Sequence, residues 1–343
     1  MRIRDISVIL LITFILMLAV AEIYLRFFAR PVFSESRMPA PVCRPDPHLG
    51  WANAPGNYSA PASSLEDARF TVTINGDGSR ATAPPGVGPS KDRDKIILVG
   101  GSFMFGEGLS DEQTMAWKLG QLLPDKQVLN YGVKAYGTYQ SLLMLENVLP
   151  GMQDTDLVIY GFMVHHIDRN VAPAYWRAML NIHSSRMVRI PYVSLDSENR
   201  LIRHSPAPFT PWFAGRYLLT IRILEAWLET RSFMAGNSTE KHTVMQLLLL
   251  EMRNLCKTHG CKLIVAMLNA PKNVEDVYAA FCHINGIPVI HFDLDAIRDK
   301  PLQNPEDGHP NETVNTLWAD QTAAFLAGQI IDGGNVPSES SAH

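Results

Sequence analysis

The chain has 343 residues, 46% of them hydrophobic and 19% charged, and a formal net charge of −4 at pH 7. That length and apolar share can bury a sizeable core, in one large domain or in one domain with an appendage, and define a globular class. A slightly acidic chain without a basic block excludes a dedicated nucleic-acid binder, which needs clustered Lys and Arg against phosphates.

At the N-terminus, Met-Arg-Ile-Arg precedes the apolar run Val8 to Val20, continued by Ile23, Tyr24, Leu25, Phe27 and Phe28. Ala19-Val-Ala21 has the small residues of a signal-peptide cleavage site, yet apolar character resumes after Glu22. A helix from Ile6 to Phe28 is long enough to cross hydrocarbon, with Arg26 and Arg30 able to reach the interface. Residues 1–30 are therefore read as an uncleaved membrane anchor. The short N-terminal tail stays in the cytoplasm and the globular part lies outside it, periplasmic or at the cell surface. Cys43, Cys256, Cys261 and Cys282 are compatible with an oxidising compartment without requiring one. Cys256 and Cys261 either close a small disulfide loop or are unrelated thiols, and lack the second ligand pair of a zinc site.

Residues 31–92 read as a Pro-, Ser- and Ala-rich linker that becomes a small β appendage. Phe70-Thr-Val-Thr-Ile74 alternates as a half-buried strand does, and Asn75-Gly-Asp-Gly78 supplies a tight reversal. From Lys95 a regular alternation begins: strand 96–99, helix 112–123, strand 127–131, helix 139–148, strand 157–160. Such a βαβαβ run predicts an α/β fold with a parallel central sheet. Residues 171–213 show no clear period and read as an insertion over the carboxyl edge of the sheet, either a lid or a docking surface. Helices follow near 216–231 and 244–259, then strands at 262–268 and 286–292 and a closing helix at 314–331. The apolar positions of 216–231 are assigned to core or lid. The main domain is taken as 93–332, and 333–343 as a disordered polar tail.

Four loops carry residue types suited to chemistry. The strand 96–99 ends in Gly100-Gly-Ser102-Phe-Met-Phe-Gly-Glu-Gly108, which presents a serine hydroxyl where ligands bind in open α/β sheets. A serine is weakly nucleophilic without a base. Asp307-Gly-His309 offers one, with a carboxylate two residues away able to fix the imidazole tautomer. Loops at Asn130-Tyr-Gly132 and at His165-His166-Ile-Asp168 end the next two strands, where donors to a developing oxyanion would lie. Consecutive histidines point to opposite sides, so His165, His166 and Asp168 do not make a converging zinc site. No metal or cofactor is expected. Glu107 and Asp111 read as solvated or helix-N-terminal charges.

These four loops, in order and at these spacings, resemble the blocks of the SGNH (GDSL-type) hydrolase superfamily. The resemblance covers most of 95–331 and implies a three-layer, flavodoxin-like fold with Ser102 as nucleophile, His309 as general base and Asp307 as its partner. It implies oxyanion or binding roles for the Ser102 amide, Gly132, Asn130, His165 and His166. The segments Asp46-Pro-His-Leu-Gly50-Trp51 and Ile74 to Arg80 look like the lead-in of membrane-anchored members, some of which are similar to enzymes that add or remove acetyl groups on polysaccharides. The implied partners are an acylated small-molecule or polysaccharide substrate and the membrane. Two departures stand out: Gly101 replaces the Asp that usually precedes the serine, and His165-His166 replaces an Asn-Asp pair. The second leaves room for an alternative, a weakly active or inactive carbohydrate-binding or assembly subunit that has kept the fold.

Overall fold

The computed structural model describes residues 3–27, 42–61, 69–84, 94–182, 188–208, 212–235, 238–303 and 308–333. The linker at 31–41, the tail at 334–343, Glu306 and Asp307 lie outside them. The elements, in chain order, begin with helix α1 (Ile3–Phe27) and the strands β1 (Cys43–Asp46), β2 (Gly50–Asn53), β3 (Gly56–Pro61) and β4 (Arg69–Ile74). Next come β5 (Lys95–Gly100), α2 (Ser102–Phe105), α3 (Met115–Leu122), β6 (Gln127–Asn130), α4 (Thr138–Val148) and β7 (Thr155–Met163). Then follow α5 (His165–Val171), α6 (Ala174–Ile182), β8 (Arg189–Leu195), β9 (Leu201–Pro208), α7 (Leu219–Ala235) and α8 (Ser238–Thr258). The chain closes with β10 (Lys262–Asn269), α9 (Lys272–Ile284), β11 (Val289–Ile290) and α10 (Glu312–Gly333).

The central sheet is parallel throughout, with spatial order β11-β10-β7-β5-β6. Its strands are nearly continuous apolar runs because both faces are covered. Side-chain alternation divides them cleanly. Ile97, Val99, Val158 and Tyr160 face one layer with Leu142 and Leu145 of α4 and Leu248 and Leu249 of α8. Ile96, Leu98, Leu157 and Ile159 face the other with Met115 and Leu119 of α3 and Val314 and Trp318 of α10. The predicted α/β class and three-layer arrangement are as observed. Counted by sequence within this sheet, the order is 2-1-3-4-5, so the chain leaves β5 for one neighbour and returns to the other side of it. Ligands bind in the crevice beyond the carboxyl ends at such a switch point. Here that crevice lies between the ends of β5 and β7, where Ser102 and His165 begin their helices.

Several stretches differ from the expectation. The 171–213 region holds α6 and an antiparallel β8–β9 hairpin, and Ile190 and Val193 of the hairpin are fully buried against the core. A bulge between Ile190 and Tyr192 breaks the strict alternation that a sequence reading relies on. The expected strand at 286–292 shrinks to two residues, and α9 occupies a segment for which no element was predicted. The four cysteines are free thiols, and Cys261 Sγ instead donates to the Cys256 carbonyl at 3.3 Å.

The β3–β4 hairpin joins the site rather than hanging from it. Arg80, following β4, makes a bridge to Ile74 and another to Asn130 at the end of β6. Asn53 Nδ2 donates to the Gly132 carbonyl at 3.1 Å, and Trp51 Nε1 to the Lys134 carbonyl at 2.9 Å. Tyr136 OH donates to the Trp51 carbonyl. Both lead-in segments are thus bonded to the loop that follows β6.

Candidate active site

Ser102 opens the short turn α2 directly after β5 and is only 7% exposed. The turn ends at Gly106, whose φ of +83° closes a left-handed cap with its amide donating to the Ser102 carbonyl. As the first residue of a helical turn, Ser102 carries an amide that the helix itself does not use. Its hydroxyl lies 2.9 Å from Nε2 of His309, 207 residues away in sequence. With Nε2 as acceptor the serine donates, the arrangement in which an imidazole removes the hydroxyl proton. The His309 ring is held edge-on by Phe103, 5.5 Å between centroids, and Phe103 stacks on Trp318 of α10. Downstream of His309, Asn311 accepts from the Val314 amide and donates to the Pro301 carbonyl, fixing the loop to the start of α10.

Three residues expected at the oxyanion position serve the scaffold instead. Asn130 is wholly buried; its Nδ2 donates to the Met104 carbonyl at 3.0 Å, and its Oδ1 accepts from the Gly132 amide at 2.9 Å. That commits the Gly132 amide inside its own loop. The glycine is required by contact, since a Cβ there would come within 2.6 Å of the Phe105 nitrogen. His166 is also fully buried. Of the expected set, His165 is the exposed member, at the first position of α5. Helix geometry separates the two rings: neighbours on a helix are about 100° apart, so one faces the rim and the other the core.

His166 also accounts for Gly101. A Cβ built on Gly101 would sit 2.8 Å from His166 Nε2, so the ring occupies the space a side chain before the serine would need. The two departures from the resembled family are one packing arrangement. His166 Nδ1 pairs with Tyr160 OH at 2.6 Å, and Tyr160 OH with Thr138 Oγ1 at 2.7 Å. Thr138 gives its own proton to Met245 Sδ. The Tyr160 hydroxyl therefore donates to Thr138 and accepts from His166 Nδ1–H, which leaves Nε2 a bare acceptor with no partner among the described residues.

Burial, then the charges of Arg169 and His165, push the His166 pKa well below its usual 6.5. The linkage follows from proton counts. Below about pH 6.5 the unfolded chain binds a proton at this position that the folded chain refuses, so stability is full above that pH and declines as pH falls. His166→Gln is expected to flatten this acid-side decline, measured by urea denaturation midpoints at about pH 7.5 and 5.5.

Arg169, one turn after His165, has no role in the sequence reading. Its Nη1 lies 3.4 Å from the Cβ position of Gly101 and donates to the Tyr136 carbonyl at 3.0 Å, while the guanidinium covers the Trp176 ring. No carboxylate pairs with it among the described residues; Asp168 is taken by Lys241 and Tyr175. Burial lowers its pKa to about 10, so it remains charged. This places a cation next to Gly101, the residue before Ser102. The available signal was the i, i+4 spacing of His165 and Arg169 on a helix that starts at a strand's carboxyl end.

Asp111 and Glu107, read as solvated or helix-N-terminal charges, are both paired, and Asp111 does open a 3-10 turn, Asp111–Gln113. Arg80 has no exposed surface and donates from Nε to Asp111 Oδ1 at 2.8 Å, and from its terminal nitrogens to the carbonyls of Phe105, Gly106 and Leu109. Burial lowers its pKa, and Asp111 opposes that. Glu107 pairs with Lys134. The turn after Ser102 is thus held from both sides by cations.

No family model and no curated protein matches the chain. Among solved structures it is similar to SGNH/GDSL-type hydrolases. A member of the lipolytic G-D-S-L family from Veillonella parvula is 13% identical, with 68% of this chain and 98% of that one covered and a TM-score of 0.40. The psychrotrophic esterase EstA from Pseudoalteromonas sp. is 11% identical, with 69% and 99% covered and a TM-score of 0.41. AlinE4, an SGNH-hydrolase family esterase, is 13% identical, with 72% and 100% covered and a TM-score of 0.37. Similarity at this level assigns no substrate and no residue roles.

Proposed function

We propose that this chain is a membrane-anchored serine ester hydrolase or acyl (acetyl) transferase, with Ser102 as nucleophile, His309 as general base and Asp307 as the carboxylate that orients it. The observation that carries this reading is the 2.9 Å approach of His309 Nε2 to Ser102 Oγ at the switch point of the sheet. In the proposed cycle Ser102 Oγ attacks the ester carbonyl as His309 takes its proton. The tetrahedral oxyanion meets the Ser102 amide, an N–H of His165 from the rim, and the field of Arg169. Collapse breaks the ester C–O bond, and the leaving alcohol takes the proton from His309. Water or a second hydroxyl then attacks the acyl-enzyme with His309 again as base, and the acyl–Oγ bond breaks as His309 returns the proton to Ser102.

Membrane anchoring is supported by α1, an apolar helix near the N-terminus, long and apolar enough to cross a membrane over Asp5–Phe27, whose residues Asp5 to Met17 are exposed. An acylated carbohydrate is the proposed substrate, by resemblance of the lead-in segments to membrane-anchored polysaccharide-modifying members, with the soluble part extracytoplasmic. The test is acetate release by the full chain in detergent, first from an activated aryl acetate and then from O-acetylated oligosaccharides. Release from both is expected. No release from either would overturn the esterase reading, and release from the aryl ester alone would overturn the carbohydrate assignment.

A further inference from the structure

The region 216–231, assigned to core or lid, turns a large part of its apolar surface outward. Ile223, Leu224, Trp227 and Leu228 of α7 are 40–51% exposed, at the i, i+1, i+4, i+5 spacing of a single helix face. Glu225, on another face, is buried and accepts from the Trp212 amide. The segment leading into α7 adds Phe213 at 77% and Tyr217 at 66% exposure. So continuous an apolar face marks an interaction surface rather than scattered exposure.

Its position identifies the occupant. Glu22, near the end of α1, accepts from the amides of Leu219 and Thr220 and from the Thr220 hydroxyl, so the first turn of α7 is capped by a side chain of the apolar helix. Arg26 of the same helix turn donates to the Tyr217 carbonyl. From Asp5 to Glu22, α1 rises about 26 Å at 1.5 Å per residue, close to the thickness of a bilayer's hydrocarbon core. The cap therefore holds α7 at the level where hydrocarbon gives way to headgroups. The exposed aromatics suit that level, since Trp and Tyr rings favour the interface, and Arg231, lying over the Trp227 ring, can extend its charge toward headgroups.

We infer that α7 and the segment 212–218 form a second membrane contact, an interfacial helix whose Ile223–Leu228 face enters the boundary of the same leaflet from which α1 emerges. This rests on the reading of α1 as an anchor. It makes the chain a domain seated on the bilayer at two places, with its orientation fixed by the Glu22 cap, rather than one tethered by a single helix.

The test is photolabelling of the full chain in vesicles of phosphatidylethanolamine and phosphatidylglycerol that contain a phospholipid with a diazirine high on one acyl chain. Lipid adducts on peptides from both α1 and 212–231 are expected, and Leu224→Gln with Trp227→Gln should lower the α7 adducts several-fold while leaving those on α1 unchanged. Adducts on α1 alone would overturn the inference and leave the anchor standing. Adducts on neither would overturn the anchor reading with it. Protein–protein crosslinks through 223–228 in place of lipid adducts would assign the face to a second copy and overturn the lipid contact.

Discussion

Ser102→Ala is expected to lower turnover of an activated acetyl ester by about four to six powers of ten, with only a small change in thermal unfolding. Losing the attacking atom removes covalent catalysis altogether, and what remains is binding and oxyanion stabilisation. Stability should hold because the hydroxyl's hydrogen bond is to His309, at the half-buried rim, and a neutral bond of that kind contributes about 1 kcal/mol. His309→Ala should cost a similar factor in rate and also lower the unfolding temperature slightly, since its ring packs edge-on against Phe103. The double variant should be no worse than either single one, as expected of groups that act as a unit. Independent, additive losses would mean that the two residues do not share a step.

Arg80→Met is expected to be the most destabilising single change outside the hydrophobic core, at about 3–5 kcal/mol, because removing one partner leaves a buried carboxylate without its counter-ion. Asp111 would keep only the Thr73 amide on its other oxygen, and the carbonyls of Phe105, Gly106 and Leu109 would lose charged donors together. For a domain of this size that corresponds to a fall in unfolding temperature of order 10 °C. Activity should fall as well, because those carbonyls belong to the turn that immediately follows Ser102. Asp111→Asn, which keeps the shape and one acceptor, should cost less. Thermal unfolding of the three full-length proteins in one detergent makes the comparison. Equal stability of wild type and Arg80→Met would contradict a bracing role.

The parts of the site legible in the sequence were those with local signatures. A run of β-branched residues ending in glycines announces a buried strand and a tight turn wherever it occurs, and Ser102 and His309 were marked by residue type and by the order of their loops. What was not legible depended on helix phase or on distant partners. His165 and His166 are adjacent in sequence, and only the rotation of α5 sends one to the rim and the other beneath Gly101. Arg80 follows a polar turn, and nothing local marks it as buried, because its counter-ion is 31 residues further on. The Gly132 amide looked available until Asn130, two residues before it, was found to accept from it. In α7 the apolar period is the same whether the helix faces protein or lipid, so periodicity alone left it as core or lid.

The most direct measurement is covalent labelling of the full chain with a fluorophosphonate, located by mass spectrometry of the digest. If His309 activates Ser102, the adduct falls on the peptide carrying Ser102 and vanishes in both Ser102→Ala and His309→Ala. An adduct elsewhere, or one on Ser102 that forms equally fast without His309, would contradict the proposed dyad at the heart of this site.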